Sequence, residues 1–207
     1  MATVASVAKR LAVAIAVNSL VREKPFEALR VDDICEASGL SRSAFYRLFE
    51  DKYQIPLWCQ SLAFDAGLAE IGRSLTCIEG HTATLNGLLL FKDLVYSAAV
   101  ESGPYSFRTK LINKHAETMR VTLADFHRVE LSPQMDFFVV TTADAQGRAV
   151  NRWLGDGATI EVDVFATWLA DLTPAALREY LDAPITPAKP GELTFASIIA
   201  EAARAKR

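Results

Sequence analysis

Arg42, Ser43, Tyr46 and Arg47 follow closely on Gly39 and Ser41, and their types and spacing could do chemistry. On a helix they share an outer face while Phe45, Leu48 and Phe49 turn inward. Guanidinium forks pair with phosphates or guanine edges, hydroxyls donate to phosphate oxygens, and a helix N-terminus attracts anions. Such a face suits the groove of a nucleic acid. The element before it must hold it steady. Val31, Ile34, Cys35 and Ser38 recur at helical spacing with Asp32, Asp33 and Glu36 left wet, Gly39 can take the left-handed conformation that ends a helix, and Ser41 can cap the next one. Spacing alone also allows a surface hairpin that binds nothing.

The run Pro25-Phe26-x-x-Leu29-x-Val31-x-x-Ile34, followed by Ser38-Gly39-Leu40-Ser41-Arg42-Ser43-x-Phe45-Tyr46-x-x-Phe49-x-Asp51-Lys52, resembles the DNA-binding domain of the TetR family of bacterial transcriptional regulators. The resemblance covers about fifty residues. It implies a helix-turn-helix whose second helix enters the major groove, with Tyr46 and Lys52 on phosphates and Arg42, Ser43, Ala44 and Arg47 facing base edges; Ser41 belongs to the same interface. Arg30 departs from the pattern. It stands where many relatives carry a threonine that caps the first helix and touches phosphate, a distance an arginine can also reach.

The 207 residues, half of them hydrophobic, are enough for one or two domains with a sizeable core. Cys35, Cys59 and Cys77 are odd in number and lack metal-ligand spacing, which points to reduced core thiols in a cytoplasm. No basic-then-apolar leader and no run of membrane-spanning length is present, so the expected location is cytoplasmic, with no membrane partner. Net charge is −3, but residues 1–55 carry eight Lys/Arg against seven Asp/Glu. Binding to DNA would therefore rest on a few placed cations.

The expected fold is all-α: a three-helix helix-turn-helix domain over 1–52, a helical ligand-binding and dimerisation domain over 53–182, and a proline-rich linker with a last amphipathic helix over 183–207. A supporting helix from Thr3 to about Lys24 would bury Val7, Leu11, Ala14, Ile15 and Val21 and expose Lys9 and Arg10, with Phe26 filling the head's core. Asp51 could cap a linking helix running to Leu75, kinked or restarted between Lys52 and Pro56 because proline lacks the N–H and costs about 3 kcal/mol inside a helix. Gly80 and His81 would open an apolar helix ended by Gly103-Pro104, and a long helix would run from Tyr105 to Glu130. In that helix His115 sits in the apolar stripe, as a core imidazole or as a polar anchor in a pocket, while His127 falls on the surface side.

Ser132-Pro133 reads as a cap and first-turn proline, and Gly155-Asp156-Gly157 as the stop. This helix and the one carrying Phe165 and Trp168 are rich enough in large apolar residues to join a second copy as a four-helix bundle, through Phe137, Val140, Ala145, Trp153, Phe165 and Trp168. Arg152-Trp153-Leu154-x-Asp156-Gly157 also resembles, over a short stretch, the TetR branch related to dihydroxyacetone-kinase regulators. Thr173-Pro174 would cap a short helix to about Asp182, and Leu193 to Ala203 would form the last one.

The function these features imply is a homodimeric DNA-binding transcriptional regulator, a repressor on a palindromic operator, released by a small-molecule effector. Trp58, Leu62, His81 and Tyr96 are candidates to line the effector pocket, together with Phe107, His115, Met119 and Trp153; the same residues also serve as plain core. The alternative is a co-regulator acting mainly through a protein partner. An enzyme is not expected, since there is no Ser-His-Asp elbow, no His-x-x-x-His or Cys-x-x-Cys and no glycine-rich phosphate loop, and no metal or cofactor is expected either.

Overall fold

A computed structural model describes residues 4–99 and 107–186, and they are all-helical. The chain order is α1 (Val4–Leu20), a 3-10 turn (Phe26–Ala28), α2 (Val31–Ser38), α3 (Arg42–Tyr46), α4 (Gln54–Ala66), a second 3-10 turn (Leu68–Glu70), α5 (Cys77–Leu89) and α6 (Lys92–Ala99). After the gap come α7 (Phe107–Val121) with a π turn (Thr122–Phe126), α8 (Pro133–Gly155), α9 (Val162–Asp171) and α10 (Ala175–Leu181). The Gly103-Pro104 stop and the Leu193–Ala203 helix expected from the sequence lie outside the described residues, as does the side chain of Phe107.

The head folds as its sequence pattern dictates. Leu11, Val13, Ala14 and Val17 of α1 meet Phe26, Ile34, Phe45 and Phe49 in a shared apolar centre. Ile15 departs from its expected place and stands exposed, because the buried face of α1 runs through Val13, Ala14 and Val17 and Ile15 falls outside it. Arg10 is half-buried rather than solvated, its guanidinium stacked 5.2 Å above the Phe49 ring. The buried core does not stop at residue 52: Ile55, Cys59, Leu85, Phe91, Leu94, Trp153 and Phe165 continue it.

Several longer helices expected from apolar periodicity are broken in the structure. Asp51 Oδ1 accepts from the Gln54 N–H at 3.0 Å, so α4 begins there and Pro56 falls in its first turn, where a missing N–H costs nothing. The helix then stops at Gly67, well short of Leu75, because α5 crosses too closely. A Cβ on Gly67 would lie 2.2 Å from Thr84 Oγ1 and 2.3 Å from the Gly80 carbonyl. Thr84 Oγ1 instead accepts from the freed Leu68 N–H at 2.9 Å.

α5 begins at Cys77 under a reciprocal Thr76–Glu79 cap, four residues before His81, and Gly80 is interior to it. The apolar run splits at Leu90 into α5 and α6. α7 reaches only Val121 before the π turn, and His127, expected at the surface, is half-buried with Nε2 2.7 Å from the Gly72 carbonyl. Thr173 does not cap α10; its hydroxyl faces the Gln146 amide of α8 at 3.1 Å. A second apolar centre gathers Ile71, Cys77, Met119, Leu123, Val139, Leu177 and Leu181. All three cysteines are buried free thiols.

Gly67→Ala should cost about 1 to 3 kcal/mol through overpacking against α5. Urea unfolding followed by circular dichroism measures it. An unshifted midpoint would mean that the α4–α5 crossing is looser than described.

Candidate functional site

The turn between α2 and α3 sets the head's outward face. Gly39 adopts φ +69°, its N–H returning to the carbonyls of Cys35 and Glu36, and Ser41 Oγ accepts from the Ala44 N–H at 3.2 Å. These two devices aim α3 so that Phe45 is wholly buried while Ser41, Arg42, Ser43, Tyr46 and Arg47 are exposed; Ala44 is half-buried. Arg42 forms an ion pair with Asp32 across the turn, which raises its already high pKa, and leans over the Tyr46 ring. Such an exposed pair holds little energy, so a phosphate can displace the carboxylate. Arg47 has no ion-pair partner among the described residues.

Arg30 is exposed at the start of α2, where its N–H donates to Asp33 Oδ2 at 2.7 Å. Asp33, held below the usual carboxylate range by the Lys24 ammonium and the Arg30 N–H, thus bonds the N–H that precedes α2, whereas a threonine side chain at position 30 would accept from the Asp33 N–H. Lys52 differs from the expected phosphate contact. Its ammonium donates to the carbonyls of Phe26 at 3.1 Å, Glu27 at 2.7 Å and Leu29 at 3.0 Å. An ammonium has three N–H groups, and all three are used. In this arrangement Lys52 ties the 3-10 turn in front of α2 to the start of α4.

α6 joins this head to the rest of the chain. The buried Asn18 of α1 accepts, through Oδ1, the Leu94 N–H at 3.0 Å; Arg22 Nε donates to Asp93 at 2.6 Å; and the Phe26 N–H donates to Ser97 Oγ at 3.2 Å. Leu94 lies in the first turn of α6, where backbone N–H groups lack helical partners, so Asn18 caps α6 from a distant part of the sequence. The next residue, Val95, faces the other way and lines a cavity.

That cavity, about 100 Å³, lies among α4, α5, α6, α7, α8 and α9. Phe64, Leu85, Leu88, Leu111, Ile112, Val150 and Leu154 make apolar walls, and Gln60, His81, Thr84, His115, Gln146 and Asn151 supply the polar positions. No charged side chain lines it among the described residues. His81 and His115 stand edge to face at 6.4 Å. Burial, with the like charge of His115 next in importance, pushes His81 down to about 3; burial pushes His115 down to about 4. Both imidazoles are neutral at pH 7.

Residues 18–56, spanning the end of α1 through the start of α4, match the sequence model of the bacterial regulatory proteins, tetR family. The head belongs to the TetR family. Two solved structures share the fold across most of the chain. The dihydroxyacetone kinase operon activator DhaS has a TM-score of 0.61 at 14% identity, with 84% of this chain and 98% of that one covered. A tetR-family transcriptional regulator from Streptomyces coelicolor has a TM-score of 0.55 at 18% identity, over 95% of this chain and 88% of that one. No curated protein matches by sequence. Residues 18–56 thus carry a tetR-type sequence, and the chain as a whole shares its fold with these two regulators. Among the described residues no helix is long and apolar enough to cross a membrane, and no cluster of His, Cys, Asp or Glu is placed to hold a metal.

Of the pocket residues expected in this TetR-type body, the cavity brings together His81 and His115. Trp58 packs against Phe49 instead, Leu62 against the first core, and Met119 is buried in the second. Tyr96 is exposed over Gly155. Trp153 is buried and stacked 5.0 Å from Phe165, its Nε1 donating to the Ile160 carbonyl, so neither ring lies on the surface where a second copy was expected to meet them. Phe137, Val140, Ala145 and Trp168 are exposed. Sequence reasoning missed Asn18, Gln60 and Gln146. The signal was a polar residue in register with an apolar stripe, as Gln146 is with Ala143, Val150 and Leu154.

The two depressed histidines link stability to pH. Above about 6.5, the ordinary imidazole value, both folded and unfolded histidines are neutral and their contribution is full. Below it the unfolded chain takes up protons that the buried rings refuse until about 4 for His115 and about 3 for His81, so stability falls with pH through that window. Urea midpoints measured from pH 7.5 to 5 should decline, and the decline should be shallower in His115→Gln. Parallel profiles for the two proteins would refute the assignment.

Proposed function

We propose that the chain is a homodimeric transcriptional repressor that binds a palindromic operator and is released by a small-molecule effector. Residues 1–52 act in this reading as the DNA-reading head, and residues 53–182 as the regulatory and dimerisation body. One observation carries it: the α6 clasp, in which neighbouring residues hold the head through Leu94 and wall the cavity through Val95. A ligand that prefers a shifted α6 would move the head with it, by as much free energy as that preference supplies and no more.

Two heads read successive major grooves on one face of DNA only when their recognition helices stand about 34 to 36 Å apart, or a multiple of it. The exposed Phe137 and Val140 of α8 and Val164 and Trp168 of α9 supply the apolar surface for pairing two copies. Arg42, Ser43, Ala44 and Arg47 would face base edges, Arg30, Ser41 and Tyr46 would meet the backbone, and Lys52 would hold the turn behind them.

The purified protein, titrated by electrophoretic shift with the intergenic DNA upstream of its own gene, should bind a palindrome with a steep salt dependence. Tyr46→Phe should weaken all sequences by about 0.5 to 1.5 kcal/mol, whereas Arg47→Ala should cost about 1 to 3 kcal/mol at particular base pairs and relax preference there. Absence of binding to any DNA without a partner protein would sink the reading in favour of a co-regulator.

Trp168→Glu should convert the dimer to a monomer in sedimentation velocity and abolish operator binding. A variant that stays dimeric would place the interface elsewhere.

A further inference from the structure

Gln60 and Gln146 both line the cavity, each is 3% exposed, and each has an amide oxygen with no hydrogen-bond partner among the described residues. The orientation of Gln146 is fixed. Its Nε2 donates to the Leu169 carbonyl at 2.8 Å, and a carbonyl can only accept, so the amide cannot turn over and its oxygen must point away from Leu169. One buried acceptor of fixed orientation, Gln146 Oε1, therefore awaits a donor on a cavity wall that is mostly apolar.

From this we infer that the cavity takes a small neutral molecule with an apolar body and a hydroxyl group, an alcohol or a phenol, whose O–H donates to the free amide oxygen of Gln146. The proposal rests on the effector reading above and names the chemistry that reading leaves open. A carboxylate or phosphate would bring negative charge to the Gln146 amide oxygen with no cation on the wall, and the neutral His81 and His115 supply none. An ammonium would shed its water with no carboxylate to replace it. A plain hydrocarbon fills the walls but leaves the Gln146 oxygen unpaired. Size limits the body to about one ring or a short chain, since the volume of about 100 Å³ is of the order of a cavity that admits benzene.

The test is calorimetric titration of the full-length protein at pH 7 with phenol, toluene and benzoate, alongside operator binding by the same preparation. Phenol should bind at least about tenfold more tightly than toluene, the worth of one buried hydrogen bond, and benzoate should not compete. Gln146→Met should bring phenol and toluene to equal affinity. Equal binding of phenol and toluene by the unaltered chain, tight binding of benzoate, or no binding of any of the three would overturn the proposal without recourse to a variant. Operator binding separates the two readings. If it persists while phenol shows no preference, the ligand class is wrong and the regulator stands; if no DNA is bound, the regulator reading fails whatever phenol does.

Discussion

A single buried amide joins the two halves of this molecule. The Asn18 side chain reaches out of α1 and caps α6 through the Leu94 N–H. Both partners are out of water, so neither can exchange the bond for a solvent molecule, and separating head from body would leave a buried donor and acceptor unpaired. Arg22–Asp93 flanks that bond at the surface and adds direction more than energy, while the half-buried Phe26–Ser97 bond holds its other side. Head and body are therefore coupled by geometry as well as by a continuous apolar core.

The breaks in the body follow from close helix approach. Gly67 and Gly80 let α4 and α5 cross at a distance that no Cβ would permit, and the price is a helix that ends at Ala66 with its next N–H handed to Thr84. The same crossing sets Gln60 and Phe64 opposite His81 and Thr84 around the cavity. At its far end, Asp182 Oδ1 accepts the Cys77 N–H, fastening α10 to the start of α5. The cavity lies between two apolar centres, and a void there can persist because the surrounding helices are held by polar contacts as well as by packing.

Lys52 illustrates how a residue type can be read correctly and its contacts within the fold missed. A lysine at the end of a helix-turn-helix suggests a phosphate contact, yet the carbonyl oxygens of Phe26, Glu27 and Leu29 take all its donors. Carbonyl oxygens in and after a short turn have lone pairs to spare, and a nearby ammonium fills them. Trp153 shows the reverse case. Its size and apolarity made it a candidate for pocket and interface alike, and stacking on Phe165 removed it from both.

The sequence by itself determined the head: apolar spacing in α2 and α3, Gly39 at the left-handed turn, Ser41 as cap and the exposed Arg42–Arg47 face are local features, each readable from residues within one or two helical turns. It also determined the all-α class and the α8 boundaries, where Ser132-Pro133 and Gly155-Asp156-Gly157 are local start and stop signals. Only the tertiary structure decided where α4 and α5 end, which large apolar residues face the cavity, and that Asn18 and α6 meet across 76 positions of chain. Those outcomes depend on helix crossings and on long-range hydrogen bonds, and periodicity carries no record of which distant element will cover a given face.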